Sequence, residues 1–120
     1  MPCAYSLNGS RPLALELLSA ADRPTAMFCM SDSIAYGVCV ACAELGLTIP
    51  DDVSVAGFGE HPMSRLLAPP LTSTAWDVER VARVATRFLL DALEGGRPDE
   101  PRRELFPPRL VARASTGPPP

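Results

Sequence analysis

The chain has 120 residues, 47% of them hydrophobic, which suits one domain with its own core and leaves no room for two ordinary ones. A net charge of −3 and scattered arginines argue against the clustered basic surface that nucleic acid requires. No apolar run reaches the length of a membrane span, and no basic-then-apolar leader opens the sequence. The four cysteines therefore read as reduced cytosolic thiols.

In chain order, Ser10-Arg11-Pro12 predicts a helix start, a hydroxyl N-cap with proline in the first turn. That helix runs through Leu13, Leu15, Leu17, Leu18 and Ala21 and stops before Pro24. The apolar run 25–30 predicts a buried parallel strand. Ser31-Asp32-Ser33 caps a second helix over 34–45, closed by Gly46. Residues 49–52 turn the chain into a second buried strand at 53–58. Helix, strand, helix, strand with short links implies a right-handed β-α-β unit in a doubly wound sheet. The Pro-containing stretch 68–74 predicts an extended link. The next helix, over 77–94, shows the clearest amphipathic pattern in the chain. Val78, Val81, Ala82, Ala85, Phe88, Leu89, Ala92 and Leu93 share one face, and Arg80, Arg83, Arg87 and Asp91 the other. Residues 103–106 and 109–115 read as two short strands around Pro107-Pro108.

Few residues suggest chemistry. Cys39 and Cys42 have C-x-x-C spacing but sit among Val and Ala inside a helix, where free cysteines act as small packing residues. Cys3, Cys29 and His61, the only histidine, lack metal-ligand spacing, so no metal and no cofactor are expected. No nucleophile elbow, P-loop or dinucleotide fingerprint is present. Asp32 ends one parallel strand and Gly59-Glu60-His61 ends the next. Ligands of open α/β sheets bind beyond such ends. Asp32 also suits a helix N-terminus for purely structural reasons. Tyr5, Asp32 and Glu60 together offer an aromatic face with carboxylate acceptors, an inventory that suits a sugar or another small polar ligand.

The run 24–58 (PTAMFCMSDSIAYGVCVACAELGLTIPDDVSVAGF), then PPLTST and LFPPRLVARAST, resembles the effector-binding domain of the lactose/galactose repressor (LacI/GalR) family. The resemblance covers nearly the whole chain, starting near Tyr5. It implies a three-layer α/β fold of the periplasmic-binding-protein-like type I, with a parallel sheet and flanking helices. It also implies that the fold is incomplete here, with residues 3–68 and 103–116 in the C-terminal subdomain. The crossover helix region 72–98 would belong with an N-terminal subdomain outside this chain, which would leave its apolar stripe bare. Effector-binding positions carried over are Tyr5, Ser31, Asp32, Gly59 and Glu60. Gly59 stands where relatives usually place a ligand-binding Asp, and Glu60 comes one position later. Tyr36, Cys39, Val40, Met63 and Leu66 match regions that build the family's homodimer interface. The resemblance thus implies a cytoplasmic, non-enzymatic sensor of a small effector, a sugar by preference, that touches DNA only through a headpiece absent from this sequence. A fragment of a periplasmic sugar-uptake protein is the alternative, and a small thiol enzyme using Cys39 and Cys42 is a further one.

Overall fold

The structure is a computed structural model and describes residues 5–95 and 101–119. These divide into two compact units, a body of residues 5–75 with 110–119 and a segment of residues 76–109.

The body begins with helix α1 (Leu7–Ser19), followed by strand β1 (Ala26–Phe28), helix α2 (Asp32–Leu45) and strand β2 (Ser54–Ala56). A short 3-10 helix (Pro62–Leu66) and strand β3 (Ser73–Ala75) follow, and strand β4 (Arg109–Val111) pairs with β3. β1 and β2 are parallel, with Met27 opposite Val55. A parallel bridge joins Ala56 to Thr72. The ladder continues beyond it, because the Gly57 and Gly59 N–H groups donate to the carbonyls of Thr72 and Thr74, each at 2.9 Å. The carboxyl ends of β1, β2 and β3 thus lie along one edge. The core beneath is small and aliphatic: Leu18, Val38, Ala41, Val53, Val55 and Leu71 are all buried.

Both ends of α2 follow from its sequence. The Ser31 hydroxyl accepts from the Ile34 N–H at 3.3 Å, which satisfies one orphan donor of the first turn. Gly46 closes the helix in the left-handed conformation at φ 69, where a side chain would be costly. α1 and α2 pack closely at Gly37, where a Cβ would lie 2.0 Å from Ser10 Oγ and 2.7 Å from the Leu7 carbonyl.

Three local expectations change. α1 starts earlier, with Ser6 as its N-cap accepting from the Gly9 N–H at 3.1 Å. Ser10 lies inside the helix, buried, and donates to carbonyls including that of Ile34 at 3.0 Å on α2. Pro12 is accommodated within α1 rather than opening it. β1 is less covered than its apolar run predicts, with Phe28 and Met30 63% and 65% exposed. It has one strand neighbour, and alternation sends only Met27 and Cys29 toward the core. The extended link 68–74 ends in β3, whereas 103–106 forms no strand.

In the second unit, helix α3 (Val78–Gly95) has no buried residue. Its partners there are the residues that follow it. Arg102 pairs with Asp91 and lies over the Phe88 ring, 5.4 Å from its centre. Arg80 reaches Glu104 at 3.3 Å and lies over the Phe106 ring at 5.2 Å. These contacts use the side chains of 102–106 that a sheet would otherwise have aligned. The apolar stripe stays open, with Leu89 and Leu93 61% and 74% exposed.

Candidate functional site

The site forms where the turns after β1, β2 and the start of β3 meet, and Asp32 is its centre. Its carboxylate is buried, 2% exposed as a residue. Oδ2 accepts from the His61 N–H at 2.7 Å and from the Ser64 hydroxyl at 2.5 Å. Oδ1 accepts from the Ser73 hydroxyl at 2.6 Å. The Asp32 N–H donates to the Phe58 carbonyl at 2.9 Å, which ties the two strand-end turns through the backbone as well. A buried carboxylate is tolerated when its lone pairs are filled in this way. Gly57 makes room for it, since a Cβ there would lie 2.3 Å from Asp32 Oδ1.

The turn at 58–61 has an unusual backbone. Gly59 has φ 118 and Glu60 has φ 52. The first value is open mainly to glycine, and the second is the left-handed region that other residues enter at a cost. The Glu60 N–H donates to Ser73 Oγ at 3.1 Å. Its carboxylate is held by Arg113, whose Nη1 donates to Oε2 at 3.0 Å while Nη2 reaches Oε1. Arg113 also donates to the Leu71 carbonyl at 2.7 Å. The neighbouring carboxylate of Glu60 holds the Arg113 guanidinium above its ordinary pKa.

The five sequence-predicted effector positions therefore divide. Ser31, Asp32, Gly59 and Glu60 share one sheet edge. Tyr5, 73% exposed, precedes α1 outside this hydrogen-bonded cluster. The acceptor oxygens expected of Asp32 and Glu60 are both engaged by donors of the chain itself. Ser64, Ser73, Gly57 and Arg113 are participants that the sequence reading did not single out. Only the hydroxyls near His61 and in the LTST stretch hinted at them, and nothing in the spacing pairs them with Asp32.

A second feature adjoins the first. Leu7, Tyr36, Cys39, Val40, Ala43, Met63 and Leu67 line an apolar concavity on the body. It gathers four of the five positions carried over as interface, and the fifth, Leu66, is 71% exposed nearby in sequence on the 3-10 helix. Burial pushes the Cys39 thiol up to about 12, with Cys42 and Cys29 adding to the shift. Cys42 is raised too, again chiefly by burial. Both thiols are protonated at neutral pH, which opposes nucleophilic or redox use. No group of three or more metal-binding side chains occurs among the described residues. No described helix is long and apolar enough to cross a membrane.

Comparison with known proteins decides the family. Residues 4–116 match the periplasmic binding protein-like domain. The chain belongs to that family. Within it, the similar proteins are LacI-family regulators. The chain is 38% identical over 112 residues to the HTH-type transcriptional regulator MalR of Streptomyces coelicolor, covering 93% of this chain and 32% of that protein. It is 39% identical over 100 residues to the HTH-type transcriptional repressor PurR of Photorhabdus laumondii, covering 83% and 29%. Among solved structures, a LacI-family regulator of Enterococcus faecium with bound ribose superposes with TM-score 0.85 at 29% identity, over 98% of this chain and 42% of that one. A putative LacI-family regulator of Sanguibacter keddieii superposes with TM-score 0.89 at 29% identity, over 97% and 45%. The chain thus spans about a third of the length of the curated relatives it matches and corresponds to part of the effector-binding domain of a LacI-family regulator. The fold is the periplasmic-binding-protein-like one that the sequence implied, and the relatives are regulators rather than enzymes.

Proposed function

We propose that this chain acts as a small-molecule sensing and self-association module of a cytoplasmic transcriptional regulator, with a sugar as effector. The observation that carries the reading is the meeting of the turns after β1 and β2 with the start of β3 around Asp32, beside an apolar concavity. Relatives crystallised with ribose and with lactose support a sugar. In this reading Ser31, the backbone of 58–60 and Tyr5 face the effector, while Asp32 and Glu60 shape the turn that presents Gly59. Tyr36, Cys39, Val40, Met63 and Leu66 meet a second copy. DNA contact belongs to a headpiece elsewhere in the whole regulator. A regulator needs the concavity for assembly, and an uptake protein does not.

Sedimentation and thermal shift test this together. The chain is expected to dimerise, and Met63→Glu to return it to monomer, because a charge would be buried unpaired in an apolar contact. Ribose and lactose are the first ligands to screen by thermal shift. A monomer at all concentrations, with no response to any sugar, would overturn the reading.

A further inference from the structure

Tyr36 belongs to the concavity, yet its hydroxyl reaches the polar cluster. It lies 2.9 Å from Ser64 Oγ and 3.3 Å from His61 Nδ1. Counting protons gives the direction of each bond. Ser64 has one hydroxyl proton, and its 2.5 Å contact with a carboxylate oxygen, which is acceptor-only when ionised, commits that proton to Asp32. Ser64 can then only accept from Tyr36, so the Tyr36 O–H donates to Ser64 Oγ. Burial raises the Tyr36 pKa, with the Ser64 hydrogen bond opposing, so the phenol keeps its proton across the neutral range. His61 Nδ1 accepts from the Met63 N–H at 3.2 Å and caps the 3-10 helix. Tyr36 has no second proton for that nitrogen, and the two rings meet edge to face, 6.1 Å apart at an interplanar angle of 76°.

The ordered chain is therefore Tyr36 to Ser64 to Asp32, where the His61 N–H and the Ser73 hydroxyl converge as further donors. Ser73 Oγ in turn receives the Glu60 N–H. Tyr36 and Ser64 donate in series, so the first bond strengthens the second, and together they fix where the Asp32 carboxylate sits. The His61 N–H and Ser73 O–H donate to that same carboxylate and depend on its position. We infer that Tyr36 is a positioning residue for the 58–61 turn, acting through Ser64 and Asp32 from the opposite face of that cluster. The inference rests on the sensor reading only for its consequence: a second copy seated against Tyr36 would bear on the turn that presents Gly59.

Tyr36→Phe tests it, because the ring and its packing stay and one hydroxyl goes. Amide hydrogen exchange is read residue by residue in the whole chain. The expected result is faster exchange at the His61 and Glu60 amides than in the parent, because the acceptors that hold them lose their fixed position. A purely packing role, which Tyr36→Phe preserves, would leave those two amides unchanged, and that outcome overturns the inference. A cycle with Ser73→Ala gives the second readout, because Tyr36 and Ser73 share only Asp32. Urea midpoint losses that are less than additive in the double variant support the chain, and additive losses overturn it. None of these measurements needs a sugar or a dimer. The inference can fail while the sensor reading stands, and the Met63→Glu dimer test can fail while the inference stands.

Discussion

Helices α2 and α3 make the same kind of offer, an apolar face on a regular helix, and the chain answers the two differently. α2 is 14 residues long and buries Asp32, Ala35, Gly37, Val38, Ala41 and Cys42. α3 is longer, at 18 residues, and its pattern is cleaner, yet it buries nothing. α2 finds α1 and the sheet on either side, brought there by short links. Within its own unit, among the described residues, α3 meets Arg102, Glu104 and Phe106, and Leu89 and Leu93 stay exposed. Amphipathicity states that a face needs covering and carries no information about what covers it.

The largest effect is expected at Asp32. Asp32→Ala removes one acceptor group and orphans three donors, His61 N–H, Ser64 O–H and Ser73 O–H, in a buried site. Each donor left unsatisfied in a buried place costs about 1–3 kcal/mol, so a loss of about 3 kcal/mol is expected. Urea unfolding followed by circular dichroism measures it. A loss under about 1 kcal/mol would mean that the turns hold one another without the carboxylate. Next comes Gly37→Ala, which forces a methyl toward Ser10 Oγ and two backbone atoms of α1. Separating the two helices there is expected to cost about 1–3 kcal/mol by the same assay.

How far the body could be read from its residues follows the range of each interaction. α2 and its caps were legible, since Ser31 and Gly46 act within four residues of their own positions. So was the parallel sense of β1 and β2, which a helix between two apolar runs imposes. The sequence places the start of α1 at Ser10, whereas Ser6 caps it, because the Ser10 hydroxyl is taken up by the Ile34 carbonyl on α2, a long-range contact that a local cap pattern does not report. The exposure of Phe28 was hidden because an apolar run does not report how many neighbours its strand has. The site was legible as a location and not as a network. Position placed Asp32 and Gly59-Glu60 at strand ends. It could not show that Ser64 and Ser73, 32 and 41 residues away, would fill the carboxylate of Asp32. Nor could it show that Glu60 would turn to Arg113, 53 residues on.

Gly59 gives a smaller and more diagnostic effect. Placing a carboxylate at this position, Gly59→Asp, meets no steric obstacle, since nothing lies within 4 Å of a Cβ there. The cost comes from the backbone alone. At φ 118 an aspartate is expected to lose about 1–2 kcal/mol in thermal or urea unfolding. Gly59→Ala should lose about as much, because the penalty belongs to the Cβ and not to the charge. An aspartate variant as stable as the parent would show that the turn relaxes to a negative φ. That change would in turn release Glu60 from φ 52 and weaken its hold on Arg113.

The smallest effect on stability is expected on α3, and its smallness is the informative part. Leu89→Glu and Leu93→Glu place charges on side chains that are already mostly in water. Surface substitutions of this kind shift unfolding by about 0.5 kcal/mol or less. The same changes should lower the binding of an apolar fluorescent dye, because they break the open stripe into shorter patches. A pair of losses near 2 kcal/mol in urea would instead mean that this chain covers the stripe with its own residues in solution. α2 sets the scale for that outcome. A glutamate at Val38, which is 2% exposed, should be far more costly than one at Leu93 on an equally regular helix. If the two substitutions cost the same, α3 is as well covered in solution as α2. If they differ as expected, the bare face of α3 is a property of the molecule in solution.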